Sequence, residues 1–252
     1  MVDGGLQLVS KSLADHLWYA SGVVALCPSI AVLGSRRPGT RVWSAFIQIP
    51  MLFVLGWPAI ALFLQGHEIR GVQLETPQLA AFLLVLLMGA GNYLGTRFTI
   101  SCILYALALS VIALSSSAVA PRMLADRATP RIWATGFIAL SVLSARHSTN
   151  RIVSQGDRFD SLWLDFFDLF GVVWGRRIQD RINHIAAREN WPGRLELHGF
   201  EWTSSPDPII LSRIEHTFRW LLRRFVDSEW IERQMARPVE SESIAKSSAS
   251  AP

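Results

Sequence analysis

Four stretches of this chain, 17–34, 42–66, 79–93 and 98–120, contain no Asp, Glu, Lys, Arg or His. A helix rises 1.5 Å per residue, so about 20 apolar residues cross a hydrocarbon core of about 30 Å. Such stretches constrain the solvent before they constrain the fold, because only lipid tolerates so much uncovered apolar surface. The first begins beside Trp18 and Tyr19, ring types that favour the membrane interface, and ends at the basic turn of Arg36, Arg37 and Arg41. The second contains Pro50 and Pro58. Each removes a backbone donor, so a kinked helix packed against neighbours is expected. A fifth run, 132–145, has fourteen residues and reaches about 21 Å. It reads either as a short span, with Trp133 and flanking arginines to anchor its ends, or as an interfacial segment, and the first reading is preferred.

These runs predict an all-α membrane protein. Residues 1–151 form a bundle of about five transmembrane helices, over about 17–34, 42–66, 77–93, 98–120 and 132–145. Residues 152–236 form a small, mostly helical cytoplasmic domain with a short extended segment, and 237–252 a disordered tail rich in Ser, Ala and Glu. Charge divides the chain at the same place. Residues 1–145 hold nine Lys/Arg and five Asp/Glu, whereas 146–252 hold fifteen of each, so the first part carries the whole net charge of +4. That excess lies in the loops between apolar runs, where cytoplasmic Lys/Arg normally fall, and so it argues against nucleic acid as a partner. With five spans and an outer N-terminus, the inner loops carry seven Lys/Arg and the outer ones five. Residues 1–16 lack a basic leader and a small-residue cleavage site, so the first run is expected to stay as an uncleaved transmembrane helix.

The second part reads as helical by period. Over 160–190, Leu162, Phe166, Leu169/Phe170, Val173, Ile178, Ile182 and Ile185 recur at helical steps, with Asp165, Asp168, Gln179 and Asn183 largely opposite. Trp191-Pro192-Gly193 stops this helix, and 194–202 alternates like one short strand or two broken at Gly199. Asp207-Pro208 is an N-cap and first helical residue, followed by an apolar face of Ile210, Ile214, Phe218, Leu221, Leu222 and Phe225. Gly171 and Gly175 have the small-xxx-small spacing that allows close contact or a bend.

The aromatic stripe of the first of these helices must be covered by the second helix, by the membrane surface or by a partner. Trp163, Phe166, Phe167, Phe170 and Trp174, with acidic residues opposite, form the candidate face for docking a protein partner or a second copy. Catalytic signatures are missing. Cys27 and Cys102 have no CxxC spacing, and there is no HExxH, GxSxG, phosphate-binding glycine loop or kinase set. No catalytic residue, cofactor or metal ligand set is therefore expected, and His16 and His67 read as polar caps at helix ends. Spans without charge also argue against an ion-coupled carrier, since such proteins place ionisable groups inside the bundle. Two other functions stay open. A transport component would line a polar cavity with Gln48, Gln65 and Asn92. A membrane enzyme would act at the cytoplasmic face through Asp165, Asp168 and His184.

The stretch Cys27-Pro28-Ser29-Ile30-Ala31-Val32-Leu33-Gly34-Ser35-Arg36-Arg37-Pro38, with Asn92-Tyr93-Leu94-Gly95-Thr96-Arg97, resembles a family of bacterial polytopic inner-membrane proteins of uncharacterised activity. The resemblance covers the membrane half. It implies a bacterial inner-membrane setting and no particular chemistry.

Overall fold

Apolar periodicity of this kind yields helices, and the computed structural model is mostly helical. It describes residues 2–34, 41–64, 72–119, 126, 128–150 and 158–235. The basic turn at 35–40, Gln65, His67 and the tail 237–252 lie outside them. The chain divides into two compact units, one ending at Ser148 and the other continuing from Thr149.

Among the described residues, the first unit contains five helices: α1 (Val2–Gly34), α2 (Arg41–Leu64), α3 (Thr76–Gly91), α4 (Thr99–Ser115) and α5 (Ala128–Asn150). Each apolar run lies in a helix, but the helices do not share its bounds. α1 and α5 continue through polar flanks, whereas α3 and α4 are cut to 16 and 17 residues. Gly95, at a φ of 88°, and the hydroxyls of Thr96 and Thr99, which donate to the carbonyls of Tyr93 and Thr96 at 2.7 Å, wind 92–98 into a turn and end the helical run there. At the far end, Leu74 N–H donates to the Ser116 carbonyl at 2.7 Å, and Ala118 N–H donates to that of Leu74 at 3.1 Å, closing the α3–α4 hairpin. Among the described residues, Leu13–Leu33 is the one stretch long and apolar enough to cross a membrane. The apolar parts of α2, α3 and α4 are shorter.

The interior of this unit gathers Tyr19, Val23, Leu26, Leu55, Leu74, Phe82, Leu109 and Ile112. Two tyrosines do related work in it. Pro28 and Pro58 leave their turns of α1 and α2 short of one N–H each. Beside each of these sites, at the residue after the carbonyl whose partner the proline removes, a carbonyl accepts a tyrosine hydroxyl from another helix: Tyr105 donates to Ala25 at 2.8 Å, and Tyr19 to Leu55 at 2.7 Å. Tyr105→Phe is expected to cost about 0.5–1.5 kcal/mol, the net value of one such bond. Reversible unfolding in mixed micelles measures it, and an unchanged midpoint would assign the packing to the ring alone. Ser141 on α5 donates to the Ser101 carbonyl of α4 at 2.7 Å, and Arg131 of α5 pairs with Asp15 of α1. Before α5, Asp126 accepts from the Thr129 hydroxyl and the Ala128 N–H, which holds its carboxyl below the usual range. That capping is present above the ordinary carboxylate pKa and fades as pH falls through the lowered one.

The second unit contains α6 (Arg158–Glu189), an antiparallel hairpin of β1 (Gly193–Glu196) and β2 (Gly199–Trp202), α7 (Pro208–Leu222) and α8 (Ser228–Met235). Of the two readings of 194–202, the structure takes the pair of strands, turning at Leu197-His198, with Glu196 opposite Gly199. Asp207 caps α7 by accepting from Ile209 N–H at 3.0 Å. α8 has no counterpart in the sequence reading. Its buried Ile231 and Met235, one turn apart, are too short a pattern to announce a helix.

α6 is two helical pieces meeting at Gly171, whose φ of 76° and ψ of −174° are open to glycine and closed to other residues. The bend brings Phe167 against Gly175, where a Cβ would overlap the phenyl ring. The two glycines thus divide the alternatives their spacing offered: Gly171 makes the bend and Gly175 the close contact.

Candidate functional site

The aromatic stripe is the first place to look, and it is already covered. Trp163 and Phe166 are fully buried, and Phe167, Phe170 and Trp174 nearly so. The cover comes from within the unit. Phe225, in the turn after α7, places its ring 5.6 Å from Phe166, 5.7 Å from Phe170 and 5.0 Å from Trp174. The Trp163 indole donates to the Leu197 carbonyl at 3.2 Å. The docking face expected at Trp163, Phe166, Phe167, Phe170 and Trp174 is therefore a core. The wheel located the apolar side correctly but could not say what lies against it.

The polar side also differs from the sequence reading. Gln179 is buried, and its amide donates to the Leu195 carbonyl at 2.9 Å. Asn183 donates to the same carbonyl at 2.9 Å and accepts from Leu195 N–H at 2.7 Å. Two amides one turn apart on α6 thus hold β1 by its backbone. A helical wheel assigns such residues to solvent. The signal available in sequence was the Gln-xxx-xxx-xxx-Asn spacing beside a short strand.

Of the enzyme set, Asp168 is buried and Asp165 half-buried before the Gly171 bend, while His184 is exposed thirteen residues beyond it. Of the transport set, Asn92 is the buried C-cap of α3 and Gln48 is half-buried in α2. Among the described residues, no group of three or more His, Cys, Asp or Glu could hold a metal ion.

What the second unit does present is an open groove between the last turns of α6 and the middle of α7. It encloses about 310 Å³ and is lined by Arg181, Ile185, Arg188, Glu189, His216, Thr217 and Trp220. Ile185 is buried and forms the floor, while Trp220 is 46% exposed, with the Arg224 guanidinium 4.8 Å from its ring centre. Arg188 reaches Glu189 at 3.4 Å from a largely exposed position. Among the described residues, Arg181 and His216 have no hydrogen-bond or ion-pair partner. Thr217 spends its hydroxyl on the Arg213 carbonyl at 2.9 Å. The groove therefore offers two guanidinium groups, an imidazole and an indole face against a single carboxylate. Sequence reasoning missed it. Arg181 and Arg188 read as cations suited to a helix C-terminus, and nothing linked them to His216 and Trp220 on another helix. Comparison of the chain with family models, with curated proteins and with solved structures finds no match.

Proposed function

We propose that this chain is a multi-span protein of the bacterial inner membrane, of about five transmembrane helices. It serves as a non-catalytic accessory or assembly subunit that binds a partner, or a second copy, through its helical unit at the cytoplasmic face. The observation that carries the membrane reading is the outward surface of the first unit. Ile49 and Val54 of α2, Leu87 of α3, Ile100 of α4 and Ile132 of α5 are all more than 60% exposed, while Ser101 and Ser141 are buried. Water penalises exposed apolar surface of that extent, and a bilayer covers it. The binding role moves from the aromatic stripe to the surface that remains open, the groove around Trp220.

A photo-crosslinking residue in place of Trp220, compared in cells with one in place of exposed Thr203, tests the proposal. The expected result is one discrete adduct at position 220 only, in membranes that retain the protein after an alkaline wash. An adduct of twice the chain's mass identifies a second copy. Release by the wash overturns the membrane reading, and equal or absent crosslinking at both positions overturns the docking reading.

A further inference from the structure

We propose that the groove between α6 and α7 is a binding site for a phosphoryl anion, held by Arg181, Arg188 and His216 against the face of Trp220. The inference goes beyond the docking reading: it concerns the same groove but assigns it a small anionic ligand in place of a protein.

Arg181 and Arg188 are seven residues apart, two turns along one face of α6, and His216 and Trp220 are one turn apart on α7. Donors therefore approach the groove from two walls. A planar carboxylate is satisfied by one guanidinium fork, whereas a tetrahedral phosphoryl group presents oxygens in several directions and can engage donors on both walls. Two guanidinium groups face one carboxylate, Glu189, which leaves the lining cationic before His216 is counted. Arg181 and His216 have no competing partner among the described residues, so neither must break a bond to take up a ligand. The volume of about 310 Å³ falls at the small end of ligand sites, enough for a phosphoryl group and a flat or glycerol-sized substituent against the indole. Such an anion could be a soluble phosphate ester or the headgroup of an anionic lipid.

Full-length protein labelled with nitrogen-15 at tryptophan provides the test, with the indole signal of Trp220 identified by Trp220→Phe. The probes are inorganic phosphate and phenyl phosphate in neutral detergent, and nanodiscs of phosphatidylcholine with and without phosphatidylglycerol. A saturable shift of that signal with phenyl phosphate, weakened about tenfold or more in Arg181→Gln and Arg188→Gln, supports the site. Arg194→Gln, on β1 outside the groove, leaves it unchanged. A shift in phosphatidylglycerol nanodiscs that inorganic phosphate reverses assigns the headgroup as the source. A shift confined to the soluble probes assigns a free ester. Absence of a saturable shift with every probe overturns the proposal, as does a shift that persists in both groove variants or falls equally in Arg194→Gln. The detergent titration needs neither a bilayer nor a protein partner, so its failure is distinguishable from failure of the docking reading.

Discussion

Trp163→Ala is expected to destabilise the second unit by about 3–5 kcal/mol, the range for removing a large aromatic side chain from a packed core. Trp163 is fully buried, with its ring centre 6.3 Å from Phe166 and 5.7 Å from Phe167. Its indole N–H is lost as well, but the Leu197 carbonyl lies in an exposed turn where water can replace it. The main cost is therefore the cavity. A unit of this size holds on the order of 4–12 kcal/mol in total, so the loss is a large share of its stability. Hydrogen exchange of amides in α6, α7 and α8 reads it within the full chain, as an acceleration of roughly two to three and a half decades. Leu169→Ala provides the contrast. Leu169 lies on the same helix but is half exposed, and its replacement is expected to stay within about 0.5 kcal/mol. Equal effects for the two variants would contradict the assignment of the stripe to a core.

Gly171→Ala is expected to destabilise this unit although it removes nothing. A φ of 76° with a ψ of −174° lies in a region essentially reserved for glycine, and a side chain there costs of order 1–3 kcal/mol. More follows if the corner yields. Phe225 touches Phe166 and Phe170 before the bend and Trp174 after it, so straightening α6 would withdraw one side of that clasp. For a unit of this length the backbone term alone lowers the melting temperature by roughly 4–24 °C. Hydrogen exchange of residues 158–189 during a temperature series isolates the effect. A variant as stable as the parent would show that α6 does not turn at Gly171.

Legibility of the sequence followed the range of each interaction. The apolar runs named five helices, because freedom from charge over 14 or more residues is a local property. Their ends were less legible: Thr96 and Thr99 wind the chain into a turn after α3 through bonds that composition does not display. Asp207 and Pro208 marked the start of α7 because a cap and its helix are neighbours in sequence. Gly171 was visible as a glycine in a helical pattern, but choosing between a bend and a close contact needs the backbone conformation at Gly171 and the position of the Phe167 ring against Gly175. The aromatic stripe and the amides of Gln179 and Asn183 show the same limit. Period identifies which residues share a face, and tertiary packing decides what that face meets. The groove lay beyond sequence reasoning for that reason, since its two walls come from helices separated by a hairpin.

The claim on which the functional reading stands is that the outward side chains of the first unit meet lipid. Nitroxide labels at Val54, Leu87, Ile100 and Ile132, with a fifth at Ile209 of the second unit, test it in proteoliposomes. All five positions are largely exposed, so the labels need not disturb packing. The account predicts that oxygen, which concentrates in the bilayer, relaxes the first four labels strongly while a water-soluble nickel chelate hardly reaches them, and that the label at Ile209 shows the reverse. Equal access of the nickel chelate to all five would contradict a membrane-embedded first unit.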